Sequence, residues 1–145
     1  MTFSHEPLIR RINEATGFIR TVGVKIEAIS PGQVEFSLEE KPELLQFNGY
    51  FHGGVVAGLA DHAAGAATTT MLPSGKITVT VDLHMNYLAP ATGRVVIARA
   101  RSLQTGSTLC VAAVDVFGQH NGDERLCATA LVTLRVVAMP AIELN

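Results

Sequence analysis

Apolar residues recur at helical spacing near the start of the chain and at strand spacing through most of the remainder. Between Glu6 and Phe18, the positions Leu8, Ile9, Ile12 and Ala15, with Ile19 just beyond, keep close to a helical repeat. Pro7 suits a first turn and Gly17 lies near the end, so the segment predicts a short amphipathic helix. From Val22 to Ile29 apolar residues alternate with others, and Val34 to Leu38 does the same after Ser30, Pro31 and Gly32, which together predict a hairpin. Lys41 to Phe51 is polar and carries Pro42 and Gly49, the composition of a connecting loop.

Gly54 to Met71 breaks the pattern, because nearly every residue is small or apolar and Asp61 and His62 are its only ionisable members. Its length and alanine content favour helix over strand, although the run Thr68-Thr69-Thr70 weakens the last turn. A helix apolar on every side has to be surrounded by protein. Gly58 and Gly65 each lower helix propensity by about 1 kcal/mol relative to alanine, and suggest places where a neighbouring element comes close. Four strand-like runs come next, Ile77–Tyr87, Arg94–Leu103, Thr108–Phe117 and Leu126–Val137, separated by short turn compositions that imply antiparallel neighbours. Strict alternation in Thr78–Tyr87 puts Val79, Val81, Leu83, Met85 and Tyr87 on one face and Thr80, Asp82, His84 and Asn86 on the other. The element order predicts an α+β fold in which one curled antiparallel sheet wraps a long central apolar helix, with residues 1–145 as a single domain.

Composition narrows the function. The chain is 145 residues long, 48% hydrophobic and 17% charged, with a net charge of -2 and no long run of one sign, so nucleic acid is excluded as a partner class. Nothing resembles a membrane span or a signal peptide, which sets the expected address as cytoplasmic. Cys110 and Cys127 sit inside strand runs and are expected to be buried and reduced. The histidines and acids lack metal-ligand spacing and no Gly-x-Ser-x-Gly elbow occurs, so neither a metal site nor a serine hydrolase is expected, and no cofactor is needed. Arg94, Arg99 and Arg101 are candidate partners for nucleotide phosphates, although exposed arginines are commonly just solvated.

The chemistry concentrates in Gln46–Asp61, where His52-Gly53-Gly54 opens the apolar helix and a carboxylate lies eight residues after the first glycine. Glycines at a helix start let a substrate reach the unpaired amides, and the positive end of the helix dipole stabilises charge developing on a carbonyl oxygen. The plainer reading, that His52 caps the helix and the glycines only ease packing, stands beside it. Asp61 is harder to explain structurally: an ionised carboxylate in an apolar helix needs a partner, and Ala57 and Gly65 at i−4 and i+4 provide none. Gly53 and Asp61 lie about 12 Å apart along a helix rising ~1.5 Å per residue, too far to act on one carbonyl, so a shared site requires two copies of the helix.

The run from His52 to Asp61 resembles the His-Gly-Gly-x(6)-Asp signature of hotdog-fold acyl-CoA thioesterases of the phenylacetate-pathway type, and VTVDLHMNYLAPATG resembles the strand and turn that come after it there. The resemblance implies hydrolysis of a small aryl or medium alkyl CoA thioester, with Asp61 as general base or nucleophile, Gly53 and Gly54 polarising the carbonyl, and the carboxylate crossing the interface of a dimer or dimer of dimers. It also implies an orienting amide ahead of the His-Gly-Gly run. Gln46 and Asn48 are the candidates, each able instead to make turn hydrogen bonds. Thr80 corresponds to a hydroxyl that holds water, unless it is simply part of a polar outer face. The alternatives are a hotdog acyl-CoA hydratase or dehydratase, against which the lone Asp61 counts, and a protein that binds acyl-CoA without turning it over.

Overall fold

The structure is a computed structural model and describes residues 5–141. Helix α1 (Glu6–Glu14) starts with a proline in its first turn and an Arg10–Glu6 pair one turn apart, and buries Ile9. It stops sooner than the apolar repeat suggests. Gly17, at φ 135°, turns the chain where other residues rarely go, and a second short helix, α2 (Phe18–Val22), starts immediately. The strand expected from Val22 therefore begins only at Lys25. Strand β1 (Lys25–Ser30) pairs with β2 (Gln33–Glu39), and a short 3₁₀ turn at Pro42–Leu44 leads toward the central helix α3 (Gly53–Thr69).

Four long strands complete the chain: β3 (Lys76–Tyr87), β4 (Val95–Thr105), β5 (Leu109–His120) and β6 (Asp123–Ala138). The last two run closer to their turn than expected, meeting at Asn121-Gly122. All pairings are antiparallel, in the order β1-β2-β4-β5-β6-β3. The expected α+β hotdog architecture is thus observed, with a curled sheet around α3. Its inner face carries Val34, Phe36 and Leu38 from β2, Ala98 and Ala100 from β4, Val114 and Val116 from β5, and Ala130, Val132 and Leu134 from β6, all buried. The alanines on β4 and β6 leave room for a helix backbone. Val56, Leu59, Ala60, Ala63, Ala64 and Ala67 of α3 fill that room and close the core.

The threonine run at the end of α3 is satisfied internally. Thr68 and Thr70 donate their hydroxyls to carbonyls of the preceding turn, and Thr70 also accepts from the Gly32 amide. Cys110 and Cys127 are buried free thiols. No helix among the described residues is long and apolar enough to cross a membrane.

Two expectations fail, and both failures bear on function. First, α3 is not enclosed on every side: Gly54, Ala57, Gly58, Asp61 and Gly65 form a stripe that stays partly or fully accessible. Gly58 on this stripe does have a close neighbour, since a Cβ there would sit 2.7 Å from the Phe18 ring of α2. Gly65 does not, for its nearest atom beyond the helix would be Leu134 Cδ2 at 4.0 Å. Second, β3 does not alternate throughout. Thr80 pairs with Leu134 but Asp82 pairs with Thr133, so Val81 is a surplus residue, a β-bulge that exchanges the faces of the strand. Thr78 and Thr80 before it, and Leu83, Met85 and Tyr87 after it, oppose the residues of β6 that point at α3. Thr80 therefore faces the helix, away from the outer row of Asp82, His84 and Asn86.

Candidate active site

Two clefts flank α3, one at each of the two features the sequence singles out. At the helix start, His52 is an N-cap with extended backbone whose Nδ1 accepts from the Gly54 amide at 2.9 Å. That bond leaves the ring hydrogen on Nε2 in the neutral imidazole. The His52 carbonyl accepts from the Val55 and Val56 amides. Of the first amides of the helix only Gly53 N–H lacks a hydrogen-bond partner among the described residues. Expected to share the polarising role, Gly54 has its amide occupied by the cap, so the free donor is Gly53.

Tyr87, grouped in the sequence only with apolar neighbours, donates its hydroxyl to the Gly53 carbonyl at 2.6 Å and so fixes that peptide from the edge strand. A tyrosine hydroxyl at the end of an otherwise apolar strand face is the signal that could have singled it out, since such a group needs a partner. The loop before the helix is closed by an isolated bridge between Leu45 and Phe51. Gln46 lines the resulting cleft of about 670 Å³ together with Tyr50, His52, Tyr87 and Leu88. Asn48 is exposed and does not line it; its Oδ1 accepts from the Tyr50 amide at 3.2 Å, a local turn bond. The two amide candidates are therefore placed differently, Gln46 in the cleft and Asn48 in the turn.

Two turns further along α3, Asp61 is partly accessible and its Oδ1 accepts from Thr80 Oγ1 at 2.6 Å. The bulge at Val81 makes this contact available. The donor is a side chain rather than backbone, and the hydroxyl oxygen retains lone pairs that can accept from a water beside the carboxylate. Asp61 and Thr80 open onto a smaller pocket of about 170 Å³. Replacing Thr80 with valine keeps the shape and removes the donor that orients Asp61.

His62, next in sequence, borders the same pocket but makes its contacts on the other side. It packs against the Phe36 ring with centroids 5.1 Å apart and its Nε2 lies 3.1 Å from Asn13 Oδ1. Asn13 Nδ2 donates to the Val24 carbonyl, which leaves Oδ1 as acceptor and assigns the imidazole hydrogen to Nε2. Burial lowers the His62 pKa to about 4, with the nearby Asp61 charge opposing the shift, so the ring is neutral near neutrality. Arg99 does not wait for a phosphate. Glu124 grips it through two bonds of 2.6 and 2.7 Å, Glu35 adds one of 3.0 Å, and its guanidinium lies over Phe117 on the outer face of the sheet. Among the described residues no three His, Cys, Asp or Glu side chains gather closely enough to hold a metal ion.

A carboxylate oriented by a hydroxyl can activate water, and a free helix-start amide, on a residue whose carbonyl Tyr87 holds, can polarise a carbonyl. The family model of the thioesterase superfamily matches residues 48–133, a span that contains both. The chain belongs to the thioesterase superfamily. A thioesterase family protein from Silicibacter pomeroyi has a similar structure, with a TM-score of 0.88 at 28% identity over 94% of this chain and 99% of that one. The 1,4-dihydroxy-2-naphthoyl-CoA hydrolase of Listeria monocytogenes is 29% identical over 63% of this chain and 75% of its own. The medium/long-chain acyl-CoA thioesterase YigI of Salmonella typhimurium is 26% identical over 82% of this chain and 84% of its own. This thioesterase is accordingly a thioester hydrolase of the hotdog fold.

Proposed function

We propose that the protein hydrolyses acyl-CoA thioesters carrying a small aryl or medium alkyl group, at sites shared between two copies of the chain. The observation that carries this reading is Asp61 itself, an acid on an otherwise apolar helix, oriented by Thr80 and facing an accessible pocket. In this scheme Gly53 N–H receives the thioester oxygen, and Asp61 of the other copy either takes a proton from the attacking water or adds to the carbonyl itself. Thr80 holds the carboxylate and the water, Tyr87 braces the Gly53 peptide, and His52 secures the helix start. Gln46, in the same cleft as Gly53, is the better placed amide for orienting the substrate. The CoA esters named for the relatives, one aromatic and one of medium or long chain, support the substrate class.

Strand β3 supports the second copy. It is twelve residues long, pairs on one side only, and leaves Val79 and Val81 45% and 57% exposed at the sheet edge. Such an unprotected apolar edge is a template for pairing with another strand. A two-fold partner joined there brings one copy's Asp61 toward the other's Gly53, which a single helix cannot do. The test is a panel of aryl- and alkyl-CoA esters with thiol release as readout and enoyl-CoA hydration in parallel. Turnover of one ester class is the expected result, and hydration without thiol release would end the hydrolase reading of this site.

A further inference from the structure

The pocket behind Asp61 has walls that the hydrolytic chemistry does not require. Asp61, Gly65 and Thr69 lie one turn apart along a single row of α3, a run of about 12 Å. All three line the same pocket, whose opposite wall is formed by Ile9 and Ile12 of α1. With a volume of about 170 Å³ the trough falls below the roughly 300–1,000 Å³ of sites that bury a whole drug-sized ligand, so it suits the acyl portion of a thioester and not the nucleotide. Its polar end is the Asp61–Thr80 pair with His62 beside it, and Ile9, Ile12, Gly65 and Ala66 give it apolar walls up to Thr69. A thioester whose carbonyl lies at the carboxylate can place its acyl tail in this trough.

Gly65 sits midway along the row. The space above it is empty enough for a Cβ to meet nothing nearer than 4.0 Å, although a residue with a side chain would be the better helix former. Helix α1, which forms the far wall, is latched in place rather than loosely laid on. Ile9 is buried, and Asn13 ties the helix to both the Val24 carbonyl and His62. The wall is thus fixed on one side and the floor left open by a glycine on the other.

We infer that this trough is the acyl-selecting pocket of the protein, with Gly65 setting its usable depth and Ile12 of the latched helix α1 its width. The inference rests on the proposed hydrolysis only for the position of the carbonyl. Binding of S-alkyl-CoA thioethers of increasing chain length, which cannot be hydrolysed, tests it by calorimetry without depending on turnover. For the wild type, affinity should rise with each added methylene and then level off. In Gly65→Leu, thioethers reaching past the midpoint should lose about tenfold or more in affinity, the usual scale for a misfit of one methylene, while the shortest bind as before. Gly65→Ala places only a methyl in open space and should give the same trend at smaller size with an unchanged or higher Tm, which covers the case of a leucine variant that does not fold. Ile12→Ala should move the plateau the other way, toward longer or branched groups. Wild-type affinity independent of chain length, or variants that shift all lengths equally, would overturn the assignment. A wild type that discriminates chain length yet releases no thiol from the matching esters supports the pocket and removes the hydrolase reading alone.

Discussion

Asp61→Ala is expected to reduce thioester hydrolysis by about 10²–10⁴, the range lost when a positioned acid or base is removed, and to leave binding of a non-hydrolysable CoA thioether largely intact. The separation of the two effects stems from placement. Among the described residues the Asp61 side chain makes one hydrogen bond, to Thr80, and it lines a pocket at the surface rather than tying core elements together, so its loss leaves the packing of α3 in place. The neighbouring helix face supplies no second acid at i−4 or i+4, only Ala57 and Gly65, so α3 offers no other carboxylate to substitute. Asp61→Asn keeps the Thr80 bond as an acceptor and isolates the charge. Turnover in either variant close to wild type would remove Asp61 from the chemistry, whatever the fold.

Acid should destabilise the protein through His62. The folded-state pKa, about 4, lies below the ordinary 6.5 because the ring is desolvated, so the unfolded chain takes up a proton that the folded chain refuses. The contribution is fully present above about pH 6.5 and is lost progressively as pH falls toward 4. The loss approaches about 3 kcal/mol at the acid end, an order of magnitude set by the size of the shift. His62→Gln retains an amide that can donate to Asn13 and cannot titrate in this range. Denaturant unfolding of both proteins across that interval checks the idea: the wild type should lose more stability than the variant, and parallel curves would show that His62 is not responsible.

The architecture was legible because its elements are long and their periods differ. The six strands and the alanine-rich helix are separated by turn compositions, and their ends moved by no more than about three residues, as at Lys25, His120 and Asp123, whereas the short helix α2 was not anticipated. Asp61 and His52-Gly53-Gly54 were legible as well, one as an unpaired acid in apolar surroundings and the other as exposed backbone at a helix start. What alternation could not reveal was the surplus residue at Val81, since a bulge has no composition of its own and inverts every later assignment of faces on β3. For the same reason Tyr87 was grouped only with apolar neighbours. The bond from Asn13 to His62 spans 49 positions and depends on where α1 docks, which local pattern does not encode.

The surplus residue in β3 also changes what kind of mutation the strand can tolerate. Thr80 and Tyr87 are an odd number of positions apart, so in a regular strand they would point to opposite sides; both reach α3 because the half-step at Val81 brings them back into phase. Straightening the bulge without removing a residue would keep every chemical group of both clefts and yet turn one of them toward solvent, whereas deleting Val81 leaves six positions and keeps the two hydroxyls on one side. For this segment, the pairing register between the two hydroxyls constrains descent more tightly than the identity of the residue that supplies the extra step.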